Sequence, residues 1–225
     1  MVGGELQGSQ GNRYYPVSLN VHGRKCLVVG GGKVALRKIK SLLEHGAKVE
    51  AISPEFCQEL KELAKNGKMK DTQRGYAPGD ITGVFLVIAA TNENDINNSV
   101  ADEAHRQNIL INVVDDPSRS NFILPSYLSR GDITISVSTN SASPALARKI
   151  RTKLEQNFGD EYTDLAALIK EIRSEFKDKS SVISAGEWQE ALDLEQLLGL
   201  LRSDKRREAA SVLRSKLMAH IDPKV

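Results

Sequence analysis

The residues best suited to chemistry begin with Gly30-x-Gly32-x-x-Ala35, set directly after the apolar run Lys25-Cys26-Leu27-Val28-Val29 and directly before an amphipathic stretch. A first glycine permits a tight turn, a second leaves the backbone bare where a phosphate must approach, and a small third residue lets a helix pack closely on the strand. The N–H groups of Lys33 and Val34, at the positive end of that helix, then face an anion. A glycine-rich turn alone is common, but strand, spacing and helix together point to the pyrophosphate of a dinucleotide.

Which dinucleotide depends on the end of the next strand, where a carboxylate holds the ribose of NAD and a basic residue accommodates the extra phosphate of NADP. The sequence there is Glu50-Ala51-Ile52-Ser53-Pro54-Glu55-Phe56, with no Lys or Arg between Glu50 and Gln58, which favours NAD. Glu50 has the usual separation from Gly30 but sits mid-strand; Glu55, beside Pro54 and just past the strand, is the preferred ribose contact, with helix first-turn charge as its alternative role. Small residues at Ala89-Ala90-Thr91-Asn92 leave room for the nicotinamide half at the carboxyl edge of a sheet, although Thr91 and Asn92 also suit a helix cap. His22, His45, His105 and His220 are isolated, and neither they nor Cys26 and Cys57 have metal-ligand spacing. Trp188, with Leu192 and Leu197, reads as helical core.

The elements that must position these residues alternate between short β-branched runs and helix-period segments, the signature of a parallel sheet covered by helices. Strands are predicted at 25–29, 48–52, 69–76 (the weakest), 84–89 and 110–114. A helix following Gly32 ends at Gly46, one capped by Ser53-Pro54 ends at Asn66-Gly67, and a third spans 95–107. The pattern then changes: 121–128 and 133–138 are strand-like and joined through Ser129-Arg130-Gly131-Asp132, which predicts a hairpin outside the sheet. Ser143-Pro144 starts another helix, and from Asp160 onward Leu165, Leu168, Ile172, Leu197, Leu201, Leu213 and Leu217 mark apolar stripes of a small helical domain. The expected organisation is a flexible leader over 1–13, a dinucleotide-binding α/β domain of doubly wound, Rossmann type over 14–120, a small α+β segment over 121–158 and helices over 159–225.

Composition excludes some classes. Thirty-one basic against 29 acidic residues leave a net charge of +2, no surplus for nucleic acid or an anionic membrane. No apolar run approaches the roughly 20 residues that span a bilayer. Two cysteines, one inside an apolar run, suit a reduced cytoplasmic protein better than a disulfide scaffold.

Several stretches together resemble the precorrin-2 dehydrogenase family, the NAD-dependent module of siroheme synthases: Tyr15-Pro16-Val17, the glycine turn, Ala89-Ala90-Thr91-Asn92, Asn112-Val113-Val114-Asp115-Asp116-Pro117, Asn121-Phe122-Ile123-Leu124-Pro125-Ser126 and Ser143-Pro144-Ala145-Leu146-Ala147-Arg148. The last three are far more specific than the glycines. The resemblance implies oxidation of precorrin-2 to sirohydrochlorin with NAD, in a homodimer formed by the segment after the α/β unit. Bifunctional relatives also insert ferrous iron, and the longest carry a tetrapyrrole methyltransferase domain that a chain ending at Val225 is not expected to contain. A hydride and a proton must leave the substrate, so a carboxylate at the cofactor edge is required. Asp115, at the carboxyl end of the fifth strand, matches the family's general base; an Asx turn before Pro117 is its other role, which Asp116 fits better. The substrate's own carboxylates call for N–H and basic donors, and Asn140, Ser141 and Ser143 before a helix, with Arg119 and Arg148, are candidates, Ser143 also being a natural N-cap. A chelatase with a vestigial nucleotide fold and a non-catalytic NAD-sensing module remain as alternatives.

Overall fold

The computed structural model describes residues 14–176 and 183–221; the leader reading for the first thirteen residues lies outside them. The chain divides into two compact units, with the boundary between Leu124 and Pro125.

The first unit contains β1 (Lys25–Val29), α1 (Lys33–Glu44), β2 (Lys48–Ile52), α2 (Gln58–Lys65), β3 (Lys70–Thr72), β4 (Leu86–Ala89), α3 (Asn94–Arg106) and β5 (Leu110–Val113), followed by a 3-10 turn at Pro117–Arg119. The five strands form one parallel sheet in the order β3-β2-β1-β4-β5. After building outward through β2 and β3 the chain returns to the other side of β1, so the topology reverses between β1 and β4. Ligands of open α/β sheets bind at that crevice, beyond the carboxyl ends of the strands.

Alternation along β1 separates two apolar layers. Cys26 and Val28 pack with Ala35, Ile39 and Leu60 from α1 and α2, while Leu27 and Val29 pack with Val100, Ala101 and Ala104 from α3. Burial on both faces explains why β1 and β4 read as unbroken apolar runs. β3 is short and polar because it is an edge with a single neighbour, β2.

Three expectations are corrected. The strand predicted over 69–76 shrinks to Lys70–Thr72. The Ser53-Pro54 cap is not a cap: α2 begins at Gln58 with Cys57 before it, since Phe56 is drawn into the core and the Cys57 N–H donates to Gly31 O at 2.8 Å. Tertiary contact overrides the local signal. Asn121, placed in a strand by its pattern, instead lies beside β5, its Oδ1 accepting from Ile111 N at 2.8 Å and its Nδ2 donating to Ile109 O at 3.0 Å.

The second unit starts with an antiparallel hairpin, β6 (Ser126–Arg130) and β7 (Ile133–Val137), turned by Gly131-Asp132 with Gly131 at φ 57°. α4 (Pro144–Asn157) follows, then α5 (Glu161–Glu175), α6 (Ala185–Ala191), α7 (Leu194–Arg202) and α8 (Arg206–Ile221). Leu168, Ile172, Leu197, Leu213 and Leu217 form its core, with Trp188 packed against it. No helix among the described residues is long and apolar enough to cross a membrane.

Ile39 is fully buried at the α1–sheet contact, so Ile39→Ala should lose about 2–5 kcal/mol through lost transfer energy and the cavity left behind. Denaturant unfolding of the two proteins measures the difference.

Candidate functional site

Gly30 leaves β1 at φ 134°, a conformation that side chains rarely adopt, and its N–H donates to Ile52 O at 2.9 Å. A Cβ at Gly30 would overlap the Ala90 carbonyl, and one at Gly31 would overlap the Glu55 carbonyl and come within 2.7 Å of Ser53 Oγ. Gly32 differs: a Cβ there meets no protein atom within 4 Å and would project into open space. The two preceding glycines therefore let three loops pack together, and Gly32 keeps the surface bare for a ligand. The signal at Gly31, a free position in the sequence pattern, was missed because its constraint comes from loop 53–56 and not from the turn itself.

Gly32 precedes α1 and offers no side chain to cap it, nor does the first turn hold an acidic residue. Its N–H groups are thus left for an anion, and the helix dipole adds positive potential. This arrangement fits a pyrophosphate.

Around the turn lies a cleft of about 770 Å³ at the topological switch point. Gly30, Gly32, Lys33, Val34, Pro54, Glu55, Thr91 and Asp115 all line it. Glu50, the other acidic candidate, is engaged elsewhere: mid-way along β2 it takes Lys25 Nζ at 3.2 Å and Lys70 Nζ at 3.7 Å. Only Glu55 of the two lines the cleft, its loop braced by Ser53 Oγ donating to Glu55 O at 2.7 Å.

Beyond β4, Thr91 is tied to buried Asn97 of α3. Thr91 Oγ1 donates to Asn97 Oδ1 at 2.8 Å, Asn97 Nδ2 donates to Thr91 O at 3.0 Å, and Thr91 Oγ1 also accepts from Glu93 N at 3.1 Å. Asn97 was missed by sequence reasoning, although a polar residue in phase with Val100, Ala101 and Ala104 on the core face of α3 is a readable signal.

Beyond β5, Asp115 adopts φ 62°, the left-handed region, which is uncommon for a non-glycine residue and concentrated at functional sites. The turn holding it is clamped. Asp116 N donates to Val113 O at 3.2 Å, and buried Ser120 Oγ accepts from Val113 N at 2.9 Å and donates to Asp116 O at 2.9 Å. The Asp116 side chain caps the 3-10 turn, accepting from Ser118 Oγ at 2.5 Å and from Ser118 and Arg119 N–H groups; these bonds, the Ser118 hydroxyl first, hold its carboxyl below the usual range. Asp115 carries no such role, and its exposed carboxylate faces the cleft it lines. Lys38, half-buried one turn along α1, also feels this site: burial and then Arg37 push its ammonium down, with the Asp115 charge acting in the opposite sense. Arg119 is paired with Asp102 at 2.7 Å.

Asn140 and Ser143 belong to the second unit. Ser143 Oγ accepts from Leu146 N at 3.2 Å as the N-cap of α4, and Asn140 and Ser141 are both left-handed, at φ 49° and 68°.

Comparison with known proteins agrees with this geometry. Residues 17–126 match a family model described as NAD(P)-binding, and residues 130–157 match that of the sirohaem biosynthesis protein central region. The chain is 38% identical over 182 residues to a siroheme synthase of Nitrosococcus oceani, covering 80% of this chain and 39% of that protein. It is 37% identical over 188 residues to siroheme synthase 3 of Aeromonas hydrophila, covering 82% and 40%. It thus spans about two fifths of the length of these relatives. The solved structure of SirC, a precorrin-2 dehydrogenase, aligns with TM-score 0.73 at 28% identity, over 90% of this chain and 100% of that one. With the glycine turn, the switch-point cleft and both family models in chain order, this chain belongs to the precorrin-2 dehydrogenase family, the NAD-binding module of siroheme synthases.

Proposed function

We propose that this chain oxidises precorrin-2 to sirohydrochlorin, a loss of one hydride and one proton. The observation that carries the reading is the cleft itself, which has an uncapped helix N-terminus and bare Gly32 on one side and the left-handed Asp115 on another. Bound NAD supplies the hydride acceptor. Lys33 and Val34 N–H groups hold the pyrophosphate, Glu55 accepts the ribose hydroxyls and Pro54 shapes that end. Thr91, through its bonds to Asn97, fixes the backbone past β4 where the nicotinamide half lies.

Asp115 takes the proton. Its carboxylate is exposed and, among the described residues, in no ion pair, so it remains available as a base. Asn140 and Ser143 contribute polar contacts to the substrate's carboxylates, Ser143 through backbone more than through a hydroxyl already used as a cap. The second unit pairs two copies into a dimer: α4 exposes Leu146 and Ile150 at successive turns of one face. The reducing cytoplasm suits two unpaired cysteines, Cys26 being buried with its thiol pushed up to about 11 by desolvation.

Anaerobic incubation of the chain with precorrin-2 and NAD should yield NADH and the sirohydrochlorin spectrum together; no NADH, with faster cobalt or iron insertion into sirohydrochlorin, would leave a chelatase. Asp115→Asn should lower kcat by roughly 10²–10⁴-fold while the Kd for NAD stays within about twofold, as for a base that does not hold the cofactor. Gly31→Ala should lower Tm by several degrees because of the Glu55 carbonyl, whereas Gly32→Ala should leave Tm nearly unchanged and weaken NAD by about tenfold or more. In sedimentation, a Leu146→Glu, Ile150→Glu double variant should run as a monomer where the parent runs as a dimer; a parent already monomeric removes the pairing proposal.

A further inference from the structure

Tyr76 falls in the connection between β3 and β4, which holds no helix or strand, yet it lines the cleft together with Ile52 and Ile96. Its ring packs against the apolar layer under α3, so it stands as a wall between core and cleft.

Its hydroxyl donates to Glu103 of α3, a carboxylate only 5% exposed. Glu103 Oε1 also accepts from Gly79 N at 2.9 Å and from Gln107 Nε2 at 3.0 Å. Burial together with this bond pushes the Tyr76 phenol far up, so it remains a donor throughout the working range. A second carboxylate fixes the outer side of the loop: Asp80 accepts from Ala77 N at 2.8 Å and takes both terminal nitrogens of Arg74, at 2.7 and 2.6 Å. Arg74, Tyr76, Ala77, Gly79 and Asp80 of one irregular loop are thereby pinned. Burying a carboxylate is unfavourable unless donors converge on it, and here two of the three come from the loop that carries the ring.

The position of this loop says what the ring meets. β3 lies beyond β2 in the sheet, and the end of β2 carries Ser53, Pro54 and Glu55, on the ribose side of the glycine turn. A ligand running from the pyrophosphate toward that side ends in a flat aromatic base. A rigid phenol ring beside Ile52 and Ile96 offers the apolar, polarisable surface such a base packs on.

We propose that Tyr76 is the surface on which the adenine of the dinucleotide packs, and that buried Glu103 is the positioning residue that holds it there. This rests on the dinucleotide reading of the cleft. Displacement of NADH fluorescence from the full chain by AMP and by nicotinamide mononucleotide tests it, with isothermal titration of NAD and Tm for each variant. Tyr76→Ala should weaken AMP and NAD by about tenfold and leave nicotinamide mononucleotide within twofold, a range set by base–aromatic stacking. Tyr76→Phe and Glu103→Gln should each weaken AMP severalfold, and the double variant should be no weaker than the poorer single one, since both break one coupled contact. A Tyr76→Ala chain that keeps AMP within twofold of a parent that binds NAD overturns the inference alone. So does an equal loss toward both half-ligands, which marks general loosening. If Glu103→Gln does not fold, the Tyr76 variants still decide. A parent that binds neither NAD nor AMP overturns the dinucleotide reading and this inference with it.

Discussion

The close approach of the β1–α1 turn to its neighbours is the constraint on which the cleft depends. At Gly30 the turn passes against the Ala90 carbonyl and at Gly31 against the Glu55 carbonyl, each closer than any Cβ permits. These contacts draw the loops after β2 and β4 around the turn. The bonds from Cys57 N to Gly31 O and from Gly30 N to Ile52 O seal one side. What remains between the loops, in front of Gly32, is the cleft. Two glycines thus make the walls meet and the third leaves the floor open, a division of roles within a run of identical residues.

The apolar frame was largely legible in the sequence. β1 and β2 have the predicted bounds because their residues are buried in alternation on two faces, and α1 and α3 fall within a residue or two of their expected limits. What failed was local punctuation. Ser53-Pro54 has the form of a helix start, but Phe56 and Cys57 are claimed by the core and by Gly31, so the helix does not begin until Gln58. Asn121 sits in an apolar pattern that resembles a strand, while its amide makes the bonds to β5 that a strand backbone would have made. Capping and strand signals are readings of a few neighbours; both lost to contacts with residues ten or more positions away.

For the site, the legible part was the set of residues at strand ends, and these line one cleft. The part that went unread was what holds them. Asn97, Glu103 and Ser120 are buried polar residues, each bonded to a loop that borders the cleft: Asn97 to the loop after β4, Glu103 to the loop after β3, Ser120 to the turn at Asp115. Two stand on the core face of α3, where periodicity asks for apolar side chains. Among the described residues no buried side-chain nitrogen or oxygen lacks a partner. Buried polar groups are tolerated only when fully bonded, so each fixes its loop in one position.

This arrangement bears on Asp115. A left-handed aspartate costs of order 1 kcal/mol or more against an extended one, and a turn free to relax would abandon it. Ser120 closes both sides of the turn and the Asp116 carboxylate is occupied by the Ser118 and Arg119 amides, so relaxation would break several bonds to recover one dihedral. Of two adjacent aspartates, one is consumed in making the turn rigid and the other is held out by it. The sequence Asp115-Asp116-Pro117-Ser118-Arg119-Ser120 therefore works as a unit, in which the residues after Asp115 determine where its carboxylate must stand.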